Sequence, residues 1–255
     1  MADGQTEPVL RLEGVSRRFG GLVAVDGVSL MLEPHRRLAV IGPNGAGKTT
    51  LFRLIAGDVP PSQGRIFLFG REVTRLPAHR RARLGLSRTF QVSNLFAGLS
   101  VLDNVRLAAQ AGGPSRWRLL GPVRSGDPAG LAAMEALERA GVAARAGDRV
   151  SELSHGEQRQ LELALALATS PRLLLLDEPA AGLSAGERSR LRDLLGSLPD
   201  SLPLLLIEHD MTLALSLTDE VLCLHNGRPI ALGPPDRVRA DPTVQAVYLG
   251  RTVDA

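Results

Sequence analysis

Leu38-Ala39-Val40-Ile41-Gly42-Pro43-Asn44-Gly45-Ala46-Gly47-Lys48-Thr49-Thr50 decides how this chain folds. The first four residues are apolar with no polar alternation, the pattern of a strand covered on both faces. The next eight match G-x-x-x-x-G-K-[ST], and a helical run from Thr50 to Ala56 is expected directly after them. The chemistry requires these residue types. Glycines let backbone N–H groups curl around phosphate oxygens, and a helix N-terminus adds partial positive charge. Lys48 then reaches β/γ-phosphates, and the Thr49 hydroxyl can bind Mg²⁺. Gly42, Pro43, Asn44, Gly45, Ala46, Gly47, Lys48, Thr49 and Thr50 are therefore candidate nucleotide contacts. The competing reading, a Gly-rich turn with an incidental lysine, arises in roughly one chain in a thousand at this composition.

Working outward, Leu173 to Leu176, Leu204 to Ile207 and Val221 to Leu224 are further short apolar runs. Between them lie helical patterns such as Leu161, Ala164, Leu165 and Ala168, spaced i, i+3, i+4, i+7. Alternating runs of this kind predict an α/β fold with a parallel sheet. Val28, Leu30 and Leu32 instead alternate with Ser29, Met31 and Glu33, and Ile66 to Phe69 ends at Gly70, which predicts a small antiparallel sheet beside the main one. From Gln91 to Arg149 the chain shows helical stretches, such as Leu131 to Ala140, and no buried strand. Its centre, Gly112 to Gly130, is rich in Gly, Pro and Arg and reads as a mobile connection.

The 255 residues suffice for one large domain, and 44% hydrophobic residues can fill a core. Of 30 basic residues, Lys48 is the one lysine, and the net charge is only +3. The high pI follows from scarce groups titrating between neutrality and the arginine range, not from a basic surface. With 3% aromatic residues, nucleic-acid binding is not expected. The single Cys223 excludes an intrachain disulfide and fits a reducing compartment. No secretory leader is expected from the polar Met1 to Pro8, and no apolar run is long enough to span a membrane.

Leu173 to Leu176 ends in Asp177-Glu178. Downstream of a phosphate loop, Asp177 would hold Mg²⁺ and Glu178 could act as base for an attacking water. A helix-start charge before Pro179 is the plainer reading of Glu178. Leu153-Ser154-His155-Gly156-Glu157-Gln158 precedes a helix, and Ser154 with Glu157 fits the S-x-x-E capping box.

With these motifs in this order, nearly the full chain resembles the ATP-binding subunits of ABC transporters. The resemblance implies a P-loop NTPase core of parallel sheet with a small antiparallel β subdomain and an inserted helical subdomain. It divides the single ATPase domain 1–255 into a nucleotide-binding core at 1–90 and 160–225, a helical subdomain with the signature segment at 91–159, and a C-terminal extension at 226–255. It implies ATP and Mg²⁺ as ligands. Ser154, His155, Gly156 and Glu157 occupy the place of the LSGGQ signature, which binds the γ-phosphate held by the partner subunit. His155 and Glu157 depart from Gly and Gln, whereas Ser154 and Gly156 are retained. Gln91 matches the Q-loop, which links Mg²⁺ and the attacking water to the helical subdomain. Ala180 to Ser184 matches the D-loop, His209 the switch histidine, and Phe19 the aromatic that stacks on adenine. Each also has a plain structural reading: a solvated glutamine, an ordinary turn, a satisfied histidine and a packed core phenylalanine.

Gly85 to Gln91 continuing through Asn94-Leu95-Phe96 to Val105, Glu208 to Met211, and Val247 to Gly250 resemble the ATPases of branched-chain amino-acid importers and their urea or short-amide relatives. That likeness implies integral-membrane permease subunits, a second ATPase chain in a head-to-tail dimer, and indirectly a substrate-binding protein. It places the chain peripherally at the cytoplasmic face of the inner membrane. A soluble ATP-dependent switch is the alternative, although such relatives carry two ATP-binding units or a coiled-coil insertion. The basic run Arg75 to Arg83 reads first as a solvated helix face and second as a contact with lipid headgroups or membrane subunits.

Overall fold

The computed structural model describes residues 7–89, 95–112 and 127–248. The chain divides into two compact units, one of residues 1–86, 172–178 and 199–255, the other of residues 87–171 and 179–198.

In the first unit, β1 (Leu10–Phe19), β2 (Leu22–Leu32), β4 (Gln63–Leu68) and β5 (Arg71–Glu72) form an antiparallel sheet in the order β2-β1-β4-β5. The alternation expected at Val28, Leu30 and Leu32 is present, with all three buried and Ser29 and Met31 exposed. The main sheet runs β10-β9-β3-β8-β7-β6, from β3 (Arg37–Ile41), β6 (Leu86–Arg88), β7 (Leu173–Asp177), β8 (Leu204–Ile207), β9 (Glu220–His225) and β10 (Arg228–Gly233). β9, β3, β8 and β7 are mutually parallel, and β10 closes one edge antiparallel to β9.

Both faces of these strands are covered, which is why their sequences are continuously apolar. Leu38, Val40, Leu173, Leu175, Leu205, Ile207, Leu222 and Leu224 join one core with the antiparallel sheet and the helix α1 (Lys48–Ala56). The alternate residues Ala39, Ile41, Val221 and Cys223 enter a second core with Ala214 of α7 (Met211–Leu217), Val238 of α8 (Pro235–Ala240), and Val244 and Tyr248 of α9 (Pro242–Tyr248). The stretch 226–255, set apart by the resemblance as a C-terminal extension, contains β10 of the main sheet.

The basic run corrects an expectation. Arg81, in the short helix α2 (Ala78–Ala82), is 1% exposed rather than solvated. Its guanidinium donates to the Leu54 and Ile55 carbonyls at 2.7 and 2.8 Å, and also to Leu76 and Thr74. The first two are carbonyls of the last turn of α1, where Leu54 also accepts from the Gly57 N–H at 3.3 Å. Burial pulls the Arg81 pKa down to about 10, against the opposing pull of Asp58. Arg75, Arg80 and Arg83 are exposed, as a solvated face requires.

In the second unit, α3 (Val101–Gly112), α4 (Pro128–Arg139) and α5 (His155–Ala168) pack on one another, and α6 (Ala185–Gly196) follows after β7 in sequence. The helix expected over Leu131 to Ala140 is α4, which starts earlier because Asp127 caps it and Pro128 occupies its first position. Pro128 to Gly130 are thus helical, not connection; residues 113–126 lie outside the described part.

Candidate active site

Three neighbouring parallel strands deliver the expected residues to one edge of the sheet. Val40 of β3 pairs with Ile207 of β8, which pairs with Asp177 of β7. Beyond these carboxyl ends come Gly42 to Thr49, Glu208-His209 and Glu178 respectively, the place where ligands bind in open α/β sheets.

The phosphate loop is shaped by what surrounds it. Gly42, Gly45 and Gly47 have φ of 149°, 81° and 102°. A Cβ at Gly42 would sit 2.3 Å from the Leu224 carbonyl oxygen, and one at Gly47 would sit 2.4 Å from that of Ala24. Glycine is therefore required at both positions by close backbone as well as by φ. The Gly227 N–H, in the β9–β10 turn, donates to the Ala46 carbonyl at 3.0 Å and holds the loop from the side. The helix expected from Thr50 starts at Lys48. Thr49 is exposed and Thr50 half-buried in its first turn.

Lys48 is buried, and its Nζ donates to the Gly42 and Pro43 carbonyls at 2.7 and 3.1 Å. Desolvation pulls its pKa below the ordinary amine value, while the charges of Glu178 and Asp177 oppose that shift. Asp177 is 8% exposed at the end of β7. Glu178 has φ 46°, a left-handed conformation uncommon outside glycine, and its N–H donates to the Ile207 carbonyl at 2.8 Å. His209 Nδ1 lies 4.0 Å from Glu178 Oε2 and 3.7 Å from Glu208 Oε2. The structure thus gathers Lys48, Asp177, Glu178 and His209. It adds Glu208, fully buried, whose carboxylate accepts from the His209 and Asp210 N–H groups. Sequence reasoning missed Glu208; a carboxylate directly after four apolar strand residues was the available signal.

Phe19, at the end of β1, is 42% exposed, so it is not a core residue. The Arg17 guanidinium covers its ring at 4.5 Å. Gln91 lies outside the described residues.

The second unit holds the remaining candidates. Ser154 caps α5: its hydroxyl accepts from the Glu157 N–H at 3.3 Å, and Glu157 Oε2 accepts from the Ser154 N–H at 2.8 Å. Those bonds draw the Glu157 pKa below the usual carboxylate range, the backbone bond contributing most. Ser184 and Glu187 repeat this arrangement at α6. The two helix starts adjoin. A Cβ on Gly156 would meet Glu187 Oε1 at 2.5 Å, and one on Gly182 would lie 3.2 Å from His155 Nε2. The Glu187 carboxylate thus lies close over Gly156, and His155 rests against the Ala180 to Ser184 turn.

A parallel sheet bearing this loop on one strand end and an Asp-Glu pair on another defines a P-loop nucleotide-binding protein. Residues 25–181 match the ABC transporter family, and residues 228–254 match a second family described as branched-chain amino acid ATP-binding cassette transporter. The chain belongs to the ABC transporter family of ATP-binding proteins. It is 40% identical over 253 residues to BraF of Pseudomonas aeruginosa, a high-affinity branched-chain amino acid transport ATP-binding protein, covering 96% of this chain and 99% of that one. It is 39% identical over 254 residues to LivG of Escherichia coli K12, which bears the same description, again covering 96% and 99%. Among solved structures, the ADP conformation of MJ1267, an ATP-binding cassette of an ABC transporter, superposes with a TM-score of 0.85 at 28% identity, covering 96% of this chain and all of that one.

Proposed function

We infer that this ABC-family ATPase energises the uptake of branched-chain amino acids through separate membrane subunits. The observation carrying the chemistry is the convergence of Lys48, Asp177, Glu178 and His209 at adjacent strand ends. The substrate rests on the two relatives and on the C-terminal family match. Among the described residues no helix is long and apolar enough to cross a membrane, so a pore would come from partner chains. The working position would then be the cytoplasmic face of the inner membrane.

ATP would lie with its phosphates in the Gly42 to Thr50 loop and its adenine against Phe19. Lys48 would exchange its bonds to the Gly42 and Pro43 carbonyls for phosphate oxygens. The Asp177 carboxylate and Thr49 hydroxyl are hard oxygen donors that suit Mg²⁺, with Gln91 the third residue proposed there. When bound, Mg²⁺ supplies charge stabilisation at the phosphates. Glu178 would take the proton of the attacking water, and His209, beside it, would help hold the γ-phosphate. Ser154, His155, Gly156 and Glu157 would face ATP held by a second ATPase chain arranged head to tail. The start of α5 suits that role through its helix dipole and the Ser154 hydroxyl, which attract anions.

The test is to purify the chain with membrane subunits and a periplasmic binding protein, then measure phosphate release. Binding protein loaded with leucine or isoleucine should stimulate release, and urea or short amides should not. Stimulation by urea alone would move the substrate to the alternative class. A chain that never associates with membrane subunits would be a switch and not a transport subunit.

A further inference from the structure

Tyr248 is the last described residue of α9, and its ring packs in the core that contains Ile41, Val221, Cys223 and Val244. Ile41 pairs with Cys223 across β3 and β9, and the next residue after Ile41 is Gly42, where the strand becomes the phosphate loop. The Tyr248 hydroxyl is buried with no partner in hydrogen-bond geometry. Burial pushes the hydroxyl pKa up, and the nearby Gly42 N–H acts against that shift. Cys223 is itself fully buried and its thiol is pushed up to about 12, so it stays protonated and supplies no charge here. Gly42 cannot retreat towards β9, because Leu224 O already closes that side.

A buried hydroxyl without a partner is unfavourable, and a small adjustment of the neighbouring backbone would satisfy it. The backbone in question is the one that must settle around phosphate oxygens. We propose that Tyr248 is a positioning residue for the phosphate loop: its hydroxyl accepts the Gly42 N–H as the loop closes on nucleotide phosphates, so that nucleotide binding and the seating of α9 strengthen each other. Linkage makes the effect reciprocal. The proposal rests on the nucleotide-binding reading of the loop.

Tyr248→Phe separates this role from simple packing. Phenylalanine keeps the ring and removes a hydroxyl that has no partner, so the thermal midpoint without nucleotide should be unchanged or higher. Nucleotide affinity, measured by calorimetry with Mg-ATP at a temperature where both proteins are folded, should nevertheless fall, by roughly fivefold, the effect of one lost hydrogen bond. Mg-ATP should also slow amide exchange across residues 242–248 in the wild type, and less so in the variant. A phenylalanine variant with wild-type affinity, or amides of α9 indifferent to nucleotide, overturns the proposal. Failure of the wild type to bind Mg-ATP would overturn the nucleotide reading as well, so the two failures are told apart.

Discussion

Glu178 sits at φ 46°, a conformation that costs a non-glycine residue about 1 kcal/mol or more. The Glu178 N–H bond to Ile207 anchors it there, with its carboxylate 4.0 Å from His209 Nδ1. Glu178→Gln keeps shape and backbone while removing the proposed base. Nucleotide binding should persist and phosphate release should fall by roughly 10²- to 10⁴-fold. Near-normal release in a phosphate assay would remove Glu178 as the base. Arg81 tests stability at the same scale. Arg81→Met removes the donor from the buried Leu54 and Ile55 carbonyls, of which Leu54 keeps only the 3.3 Å bond from Gly57, and should lower unfolding free energy by roughly 2–4 kcal/mol in urea titration. Arg81→Lys should rescue little, because a point charge cannot serve carbonyls that a planar fork reaches in several directions. An unaltered midpoint for either variant would show the contacts to be dispensable.

At the scale of elements, the capping boxes make α5 and α6 sensitive to acid. Glu157 and Glu187 each hold folded pKa values below the ordinary 4.5, through bonds with Ser154 and Ser184. Their contribution is therefore complete above that value and is lost as pH falls through the lower folded values. Ser184→Ala should cost about 1 kcal/mol at neutral pH. The difference from wild type should shrink in acid; a gap independent of pH would mean the carboxylates do not take part. The Ser154-Glu157 box was legible from S-x-x-E spacing, though its twin at Ser184-Glu187 went unread, and so were the apolar strands β3, β7, β8 and β9, because complete burial leaves only apolar residues. The edge strand β10 was not, since Arg228 and Pro229 are exposed and Ile230 and Ala231 only half-buried. Its signal was the turn: Asn226-Gly227, both at positive φ, is the strongest short hairpin pattern. Arg81 left no trace in periodicity, because capping of α1 depends on tertiary approach. The phosphate loop and the Asp177-Glu178 pair stood out from local pattern and His209 only through the family resemblance, whereas the proximity of His155 to Gly182 and of Glu187 to Gly156 belongs to folding alone.

At the scale of the whole molecule, the proposed head-to-tail pairing makes the two signature segments act across subunits. In a mixed dimer, Ser154→Arg in one chain should disable the phosphate loop of the other chain; loss confined to its own loop, read by nucleotide trapping on a tagged chain, would contradict that arrangement. The central claim of the proposed function is that ATP hydrolysis is coupled to solute uptake. Its most direct test is ATP-driven uptake of labelled leucine into proteoliposomes that contain this chain with its membrane subunits and binding protein. Uptake should require ATP and should vanish with Glu178→Gln while nucleotide binding persists; uptake that survives Glu178→Gln, or none from a wild-type complex that hydrolyses ATP, would contradict the account.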